Sequence, residues 1–370
     1  MRIPLSAPDI TQSDIDAVVG VLRSGRLSLG PKLEEFENAV AGYVGARHAV
    51  GVSSGTAGLH LCFKALGIRE GDEVILPSFT FIAAANAVCY ERAVPVFVDI
   101  DPVTLNMDPA KMEAAISPRT RAILVPHTFG IPAPMKEILA VARRHRLSVI
   151  EDACEAIGAE IYGKKVGAMG DAGVFAFYPN KQITTAEGGA VVSNNEELAA
   201  RLRTLRNQGR SASNDWLQHT EVGYNYRLSE LHSALGVEQM KRIEPILKRR
   251  DDIARAYGDG LKNLEAIELP PFSLTNCRVS WFVFVVRLRP ALTCIHRDVV
   301  AERLAGESIE TGRYFGPIHL QPAYRGRVPP SAPLCVTESM ATRTLALPFF
   351  NEITDSQIMT VCESLKEILQ

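Results

Sequence analysis

The residues with most chemistry to offer are a lysine and, upstream of it, an acidic pair. Lys181 lies in GVFAFYPNKQITTAEGGAVVSN, residues 173–194, between a run of small and aromatic residues and a β-branched run. Both runs suit buried strands, over 173–178 and 190–192. Lys181 is then confined to a tight loop among groups bound for the interior. A lysine drawn out of water becomes a usable amine nucleophile, able to hold an aldehyde as a Schiff base. Taken alone, a loop lysine is ordinarily solvated, and it is the preceding segment that changes the reading. In LSVIEDACEAIGA a short apolar strand over 147–150 leads to Glu151 and Asp152. Open α/β sheets bind ligands at that end of their strands. A carboxylate in a dry site needs a cationic partner. A pyridinium nitrogen serves, and an aspartate on that ring together with a Schiff-base lysine is the recurring signature of pyridoxal phosphate enzymes. Asp152 by itself reads equally well as a helix cap; Lys181 downstream favours the cofactor.

Other turns add candidates at the same sheet edge. In VSSGTAGLHL, Ser53, Ser54, Gly55 and Thr56 join a strand to a helix. Gly55 admits a close backbone approach, and the free amides of a helix N-terminus make a phosphate site. Such a turn is also simply a good helix cap. Phe81, just past a strand end in SFTFIAAANAV, offers a flat face for stacking on a pyridine ring, with core packing as the other reading. His127, in VPHTFG, follows another strand end and is expected to face the same crevice, as a structural residue or a substrate contact. Cys154 reads as small packing rather than a nucleophile.

These residues require a parallel sheet to bring them together, and the rest of the chain supplies one. A helix over 11–22 carries Thr11 as cap with Asp14 three residues on. Pro31 opens a second helix, with Leu33, Phe36, Val40 and Tyr43 at helical spacing. Strands over 48–52, 74–77, 94–98, 122–125 and 147–150 then interleave with helices over 54–66, 82–90 and 136–145. Near-continuous apolar strands alternating with helices mark a mostly parallel sheet covered on both faces. A helix over 196–207 follows, then a long one over 229–261, bent near Pro245. Beyond it come a strand over 279–288, a helix over 297–304 and a last helix from Asp355. Three hundred and seventy residues exceed one usual core, so two domains are expected: 1–247 as the larger, 248–370 as a smaller α+β unit.

Composition excludes several classes. Forty Lys and Arg nearly balance forty-two Asp and Glu, without a basic stripe for nucleic acid or an anionic membrane. Seven cysteines (62, 89, 154, 277, 294, 335, 362) are scattered, odd in number and without CxxC pairs. That argues against a disulfide framework or a metal site and fits a reducing compartment. No signal pattern opens the chain and no apolar run spans a bilayer, so a soluble cytoplasmic protein is expected.

SSGTAGLHL, GDEVILPSFTFIAAANAV, VPVFVDID, IEDACEAIGA, FAFYPNKQITTAEGGAVV, GYNYRLSE and RYFGPIHLQPAY together resemble the DegT/DnrJ/EryC1/StrS aminotransferases, which act on nucleotide-linked keto sugars. The pieces run in family order over nearly the whole chain. The resemblance implies a type I (aspartate aminotransferase-like) fold, α/β with a mostly parallel central sheet flanked by helices, and a homodimer with active sites at the interface. It implies Lys181 as Schiff-base lysine and proton shuttle, Asp152 on the pyridine nitrogen, Phe81 stacked on the ring, and Gly55 and Thr56 at the phosphate. Asn225, in GYNYR, would reach the phosphate of the partner subunit's cofactor. The family usually has serine five residues before the lysine; here Ala176 removes one phosphate contact. Glu155, three residues after Asp152, lies where relatives border the cofactor's hydroxyl, and glutamate there resembles perosamine-type enzymes that aminate C4 of a 4-keto-6-deoxyhexose. Arg26, Arg227 and Arg313 are candidates for the nucleotide's diphosphate, or else surface and ion-pair residues. His319 and Tyr324 would border the sugar.

The expected reaction is a two-step transamination. L-glutamate gives its amino group, leaving pyridoxamine phosphate and 2-oxoglutarate, and the keto sugar accepts the nitrogen while Lys181 moves the protons. A 3-keto sugar or a keto-cyclitol is an alternative acceptor. A dehydratase of the same family is disfavoured, because those relatives replace the lysine with histidine. A non-catalytic sensor would need a DNA-binding extension or a basic face.

Overall fold

The computed structural model describes residues 2–210, 218–289, 295–326 and 332–369. Cys294 lies outside them. Two helices, α1 (Gln12–Ser24) and α2 (Pro31–Val44), lead in. The Thr11 amide and hydroxyl both donate to the Asp14 carboxylate, at 2.7 and 2.8 Å, which fixes where α1 starts. Pro31 stands in the first turn of α2, where its missing N–H costs nothing.

The larger unit then alternates. In order come β1 (His48–Val52), α3 (Gly55–Ala65), β2 (Glu73–Pro77), α4 (Ala83–Tyr90), β3 (Val94–Val98), α5 (Pro109–Ala114), β4 (Thr120–Pro126), α6 (Met135–His145) and β5 (Ser148–Asp152). A small hairpin of β6 (Glu160–Ile161) and β7 (Lys164–Lys165) precedes β8 (Ala172–Ala176), β9 (Gly189–Ser193) and α7 (Glu196–Arg206). Seven of these strands form one sheet in the order β1-β9-β8-β5-β4-β2-β3. All run one way except β9, which is antiparallel to both neighbours. β2 is buried along its whole length, as a strand covered on both faces should be.

The remaining elements are α8 (Glu230–Lys241), α9 (Ile243–Leu261), β10 (Ile267–Glu268), β11 (Cys277–Arg278), β12 (Phe284–Leu288), α10 (Arg297–Gly306), α11 (Cys335–Arg343), β13 (Thr344–Leu347) and α12 (Asp355–Leu369). β10, β12 and β13 form a three-stranded sheet under the last helices. α9 serves two cores: Ile243, Ile246 and Leu247 pack with Phe36 and Phe177 beside the main sheet, Ile253, Ala254, Tyr257 and Leu261 with Trp281 and Phe284 around the three-stranded one. Ile3 belongs to the smaller core as well, bridging Ile309.

Three expectations are corrected. The long helix over 229–261 is two helices, broken at Arg242 rather than bent at Pro245. A proline clashes with the carbonyl four residues before it, here Lys241, so α8 stops there and Pro245 falls in the first turn of α9. The strand expected over 173–178 ends at Ala176, where the chain turns into the lysine loop. The strand expected over 279–288 begins only at Phe284, because residues 280–282 are held by Gly130, Gln182 and Arg250 instead of a ladder.

Candidate active site

β1, β2, β4, β5 and β8 end at one edge of the main sheet, and the residues that follow them enclose a cavity of about 430 Å³. β1 leads into Ser54, Gly55 and Thr56, β2 into Thr80 and Phe81, and β4 into His127. β5 leads through Asp152 into Cys154 and Glu155, and β8 into Tyr178, Asn180 and Lys181. Phe282, Tyr314 and Phe315 of the smaller unit close the far side. This is the crevice outside the carboxyl ends of the strands where open α/β sheets take ligands.

The loop holds Lys181 inward through its own backbone. The Lys181 amide donates to the Tyr178 carbonyl at 2.9 Å, the Thr185 amide to Phe177 at 2.9 Å, and the Phe177 amide to Gly188 at 3.0 Å. The Lys181 side chain is 14% exposed, with Nζ 3.8 Å from Glu155 Oε1. Nζ also stands 4.0 Å from the centre of the Phe282 ring. Glu155 Oε2 accepts the Phe129 amide at 2.9 Å. Burial pushes the Glu155 carboxyl above its ordinary value, although Lys181 and the Phe129 amide pull the other way. Asp152 is half-buried, and its Oδ1 accepts the Cys154 amide at 3.2 Å.

The residues present fit pyridoxal phosphate. A Cβ at Gly55 would stand 2.8 Å from Ala176 Cβ and 2.9 Å from Cys154 Sγ, so only glycine allows the start of α3 to come this close to β8. The Ser54 hydroxyl caps α3 by accepting the Ala57 amide at 3.1 Å. The amides of Gly55 and Thr56, in the first turn, are left without an intrahelical acceptor and suit a phosphate. Phe81, 60% exposed, turns its ring to the cavity mouth, where it can cover a flat heterocycle. An amine, a carboxylate for a ring nitrogen, a stacking face and a phosphate cradle thus meet around one volume.

Several candidates stand elsewhere. His127 borders the cavity with its side chain wholly buried; Nδ1 accepts the Ala133 amide at 3.0 Å and Nε2 donates to Glu151 Oε2 at 3.1 Å. Both nitrogens are used, so no polar atom of the ring is left for a substrate. His319 is buried between Ser78 Oγ, 2.7 Å from Nδ1, and Glu338, 3.3 Å from Nε2. Tyr324 packs in the core of the larger unit, its hydroxyl donating to Asn86 Oδ1 at 2.6 Å. Arg26 donates to the Leu29 carbonyl at 2.8 Å, Arg227 to Asn207 Oδ1 at 3.0 Å, and Arg313 lies 3.2 Å from Asp298. None of these six except His127 lines the cavity, and neither does Asn225, which is exposed.

The cavity also takes residues that sequence reasoning passed over. Asn180 precedes the lysine, yet drew no notice beside it. Tyr314 and Phe315 fall in RYFGPIHLQPAY, the segment whose His319 and Tyr324 were singled out instead. Phe282 was hidden in an apolar run that reads as a strand interior.

Comparisons with known proteins identify the family. The DegT/DnrJ/EryC1/StrS aminotransferase family profile matches residues 8–366. The chain is 40% identical over 370 residues to the GDP-perosamine synthase of Caulobacter vibrioides, covering 100% of this chain and 98% of that one. The structure of S. venezuelae DesV in complex with a ketimine intermediate superposes with a TM-score of 0.92 at 38% identity, covering 99% and 98% of the two chains. DesI, crystallised in the presence of its TDP-sugar product, superposes with a TM-score of 0.92 at 35% identity, covering 99% and 92%. The fold is that of the pyridoxal phosphate aminotransferases, and pyridoxal phosphate is the cofactor. With a family profile along nearly its whole length and the lysine, aspartate and phosphate cradle assembled at one sheet edge, the chain belongs to the DegT/DnrJ/EryC1/StrS aminotransferase family.

Proposed function

We propose that this aminotransferase moves an amino group from L-glutamate to a nucleotide-linked keto sugar, specifically a 4-keto-6-deoxyhexose. The observation that carries the reading is Lys181 Nζ, placed in the cavity beside Glu155 and held there by a closed loop. The whole-length likeness to a GDP-perosamine synthase supports the sugar, as does DesI with its TDP-sugar product. Pyridoxal phosphate supplies an electron sink for the carbon that loses its proton.

The chain's own residues do the rest. The Lys181 amine would hold the cofactor's aldehyde and, once freed by the amino donor, would take a proton at Nζ from the donor's α-carbon and later return one to the sugar carbon. Asp152 keeps the pyridine nitrogen protonated. Glu155 would border the cofactor's hydroxyl, and its Oε1 lies 3.8 Å from Lys181 Nζ. Phe81 covers the ring, and the Gly55 and Thr56 amides hold the phosphate. Asn225 is exposed and off the cavity, which supports a role across a homodimer interface at the partner's cofactor. The exposed apolar residues Ile15, Leu22, Leu27 and Leu29 supply a face for such a partner. The seven scattered cysteines, of which the six among the described residues are free thiols, support a cytoplasmic setting.

Absorption spectroscopy tests the reading. Glutamate is expected to abolish the visible band of the lysine-bound cofactor, and a nucleotide 4-keto-6-deoxyhexose to restore it. A band indifferent to glutamate would remove the donor. Recovery only with 3-keto sugars would move the acceptor carbon.

A further inference from the structure

Besides its own loop, Lys181 meets a residue from the other unit at Nζ. The face of the Phe282 ring is 4.0 Å from the ammonium, well inside cation–π range. The ring does not wander: it sits in the apolar cluster with Phe79, Phe129 and Phe315, and 6.2 Å from the Tyr314 ring. Its backbone is pinned at both ends. On one side the Ser280 amide donates to the Gly130 carbonyl at 3.0 Å, and Gln182 Nε2 donates to Ser280 O at 3.1 Å and Glu155 O at 2.7 Å. Gln182 follows Lys181 directly, so the lysine loop and the Phe282 segment share one clasp.

The other side is held by Arg250 of α9, which is 3% exposed. Nε donates to Trp281 O at 2.7 Å, Nη2 to Phe282 O at 2.8 Å, and Nη1 to Asn351 Oδ1 at 3.0 Å. No carboxylate of the described residues stands within ion-pair distance of it. Asp9 acts on this guanidinium only from longer range, so burying it is costly, and a methionine would fill the volume without that cost. What a methionine cannot supply is the planar fork that fixes two successive carbonyls.

We infer that Phe282 is the seat of the Lys181 amine and that Arg250, by clamping the Trp281–Phe282 carbonyls, is the residue that positions the seat. The ring and Glu155 then fix the position of Nζ whenever it is not bonded to the cofactor. This rests on the assignment of Lys181 as the amine that captures pyridoxal phosphate.

The test separates capture from binding. Apoprotein is mixed with pyridoxal phosphate, and the growth of the visible band reports condensation of Nζ with the aldehyde, a C–N bond formed and water released. Pyridoxine 5′-phosphate, which has no aldehyde, reports binding alone. Phe282→Leu is expected to slow capture roughly tenfold while pyridoxine phosphate affinity stays unchanged, and Phe282→Tyr, which keeps the ring, to restore it. Arg250→Lys, which cannot fork, is expected to slow capture in the same selective way. Wild-type capture in Phe282→Leu overturns the seat. So does a parallel loss of pyridoxine phosphate affinity, which would make Phe282 mere cavity wall, or a failure of Phe282→Tyr to improve on leucine. Should the leucine variant not fold by circular dichroism, Phe282→Met puts the same question with the same expected and overturning results. Binding of pyridoxine phosphate by the wild type without any capture of the aldehyde would sink the lysine assignment, and the seat with it.

Discussion

Two acid–base pairs lie on either side of one strand end. Behind β5, Glu151 is wholly buried and accepts the amides of Gly167, Met169 and Gly170, each at 2.7 Å, besides the His127 ring. In front of it, Glu155 has one backbone amide and an ammonium 3.8 Å away. Burial alone would raise both carboxyls. For Glu151 the His127 hydrogen bond and the amides overcome it and hold the group below its ordinary value; for Glu155 burial prevails and the group stays above it. The saturated pair is scaffolding, and the unsaturated one faces an open volume with capacity left for a ligand. Residue type does not separate them; the number of partners does.

The largest effect should come from the front pair. Lys181→Ala is expected to lower amino transfer about 10⁴-fold, the upper range for a group moving protons in the transition state. Its circular dichroism and melting should match the wild type, because the amine contributes chemistry rather than packing. Transfer persisting within tenfold of wild type would mean another group shuttles the proton.

The pair behind β5 should show the reverse pattern. Glu151→Gln presents an NH₂ to backbone amides that need an acceptor, and is expected to cost about 3 kcal/mol in unfolding experiments. The sign with pH follows from the lowered value: Glu151 contributes stability above the ordinary carboxylate range and loses it as pH falls through its depressed value. The variant should therefore lose part of the wild type's acid sensitivity. Glu155 has a raised value, so its favourable contribution exists below the ordinary range and disappears as pH rises through that raised value. Glu155→Gln is accordingly expected to be as stable as wild type or about 1 kcal/mol more stable at neutral pH, while transfer slows. A Glu155→Gln protein that melts like Glu151→Gln would erase the distinction between the two sides.

This distinction also marks where the sequence stops being informative. β1 to β5 and β8 are legible because each is a short apolar run bounded by turn residues, and together they put Asp152 and Lys181 at one sheet edge. His127, His319 and Tyr324 have the right chemistry near the right loops, yet their polar atoms are already taken by Ala133 and Glu151, Ser78 and Glu338, and Asn86. A count of partners is a tertiary property that no local pattern encodes. Phe282 is hidden for a related reason: VSWFVFVVRL reads as one strand, and only distant partners, Gly130, Gln182 and Arg250, show why its first part is not. Pro245 did signal a break, but the clash it causes falls four residues upstream.

Two smaller substitutions sharpen the comparison further. Ala176 lines the cavity where the family usually has serine, next to Gly55 and the start of α3. Ala176→Ser adds one hydroxyl facing the phosphate cradle, and a typical hydrogen bond of about 1 kcal/mol should tighten cofactor retention roughly fivefold. Dialysis of the loaded protein followed by absorbance would show it. Unchanged retention would mean that the cradle's amides already saturate the phosphate.

Tyr324→Phe should do least, and to stability alone. The phenol donates to Asn86 Oδ1 at 2.6 Å inside the core, and its ring meets Phe97 edge-on at 6.0 Å. Deleting the oxygen keeps the ring contact and removes the hydrogen bond to Asn86 with the longer contact to Cys89 Sγ at 3.8 Å, worth about 1 kcal/mol in urea unfolding. Burial pushes the phenol well above its ordinary value, so it stays protonated and no pH dependence should accompany the loss. The KM for a nucleotide keto sugar should not move, because the hydroxyl points to α4 and not to the cavity. A raised KM with unchanged stability would turn Tyr324 from scaffolding into a sugar contact, and would require this part of the smaller unit's approach to the larger one to differ when substrate is bound.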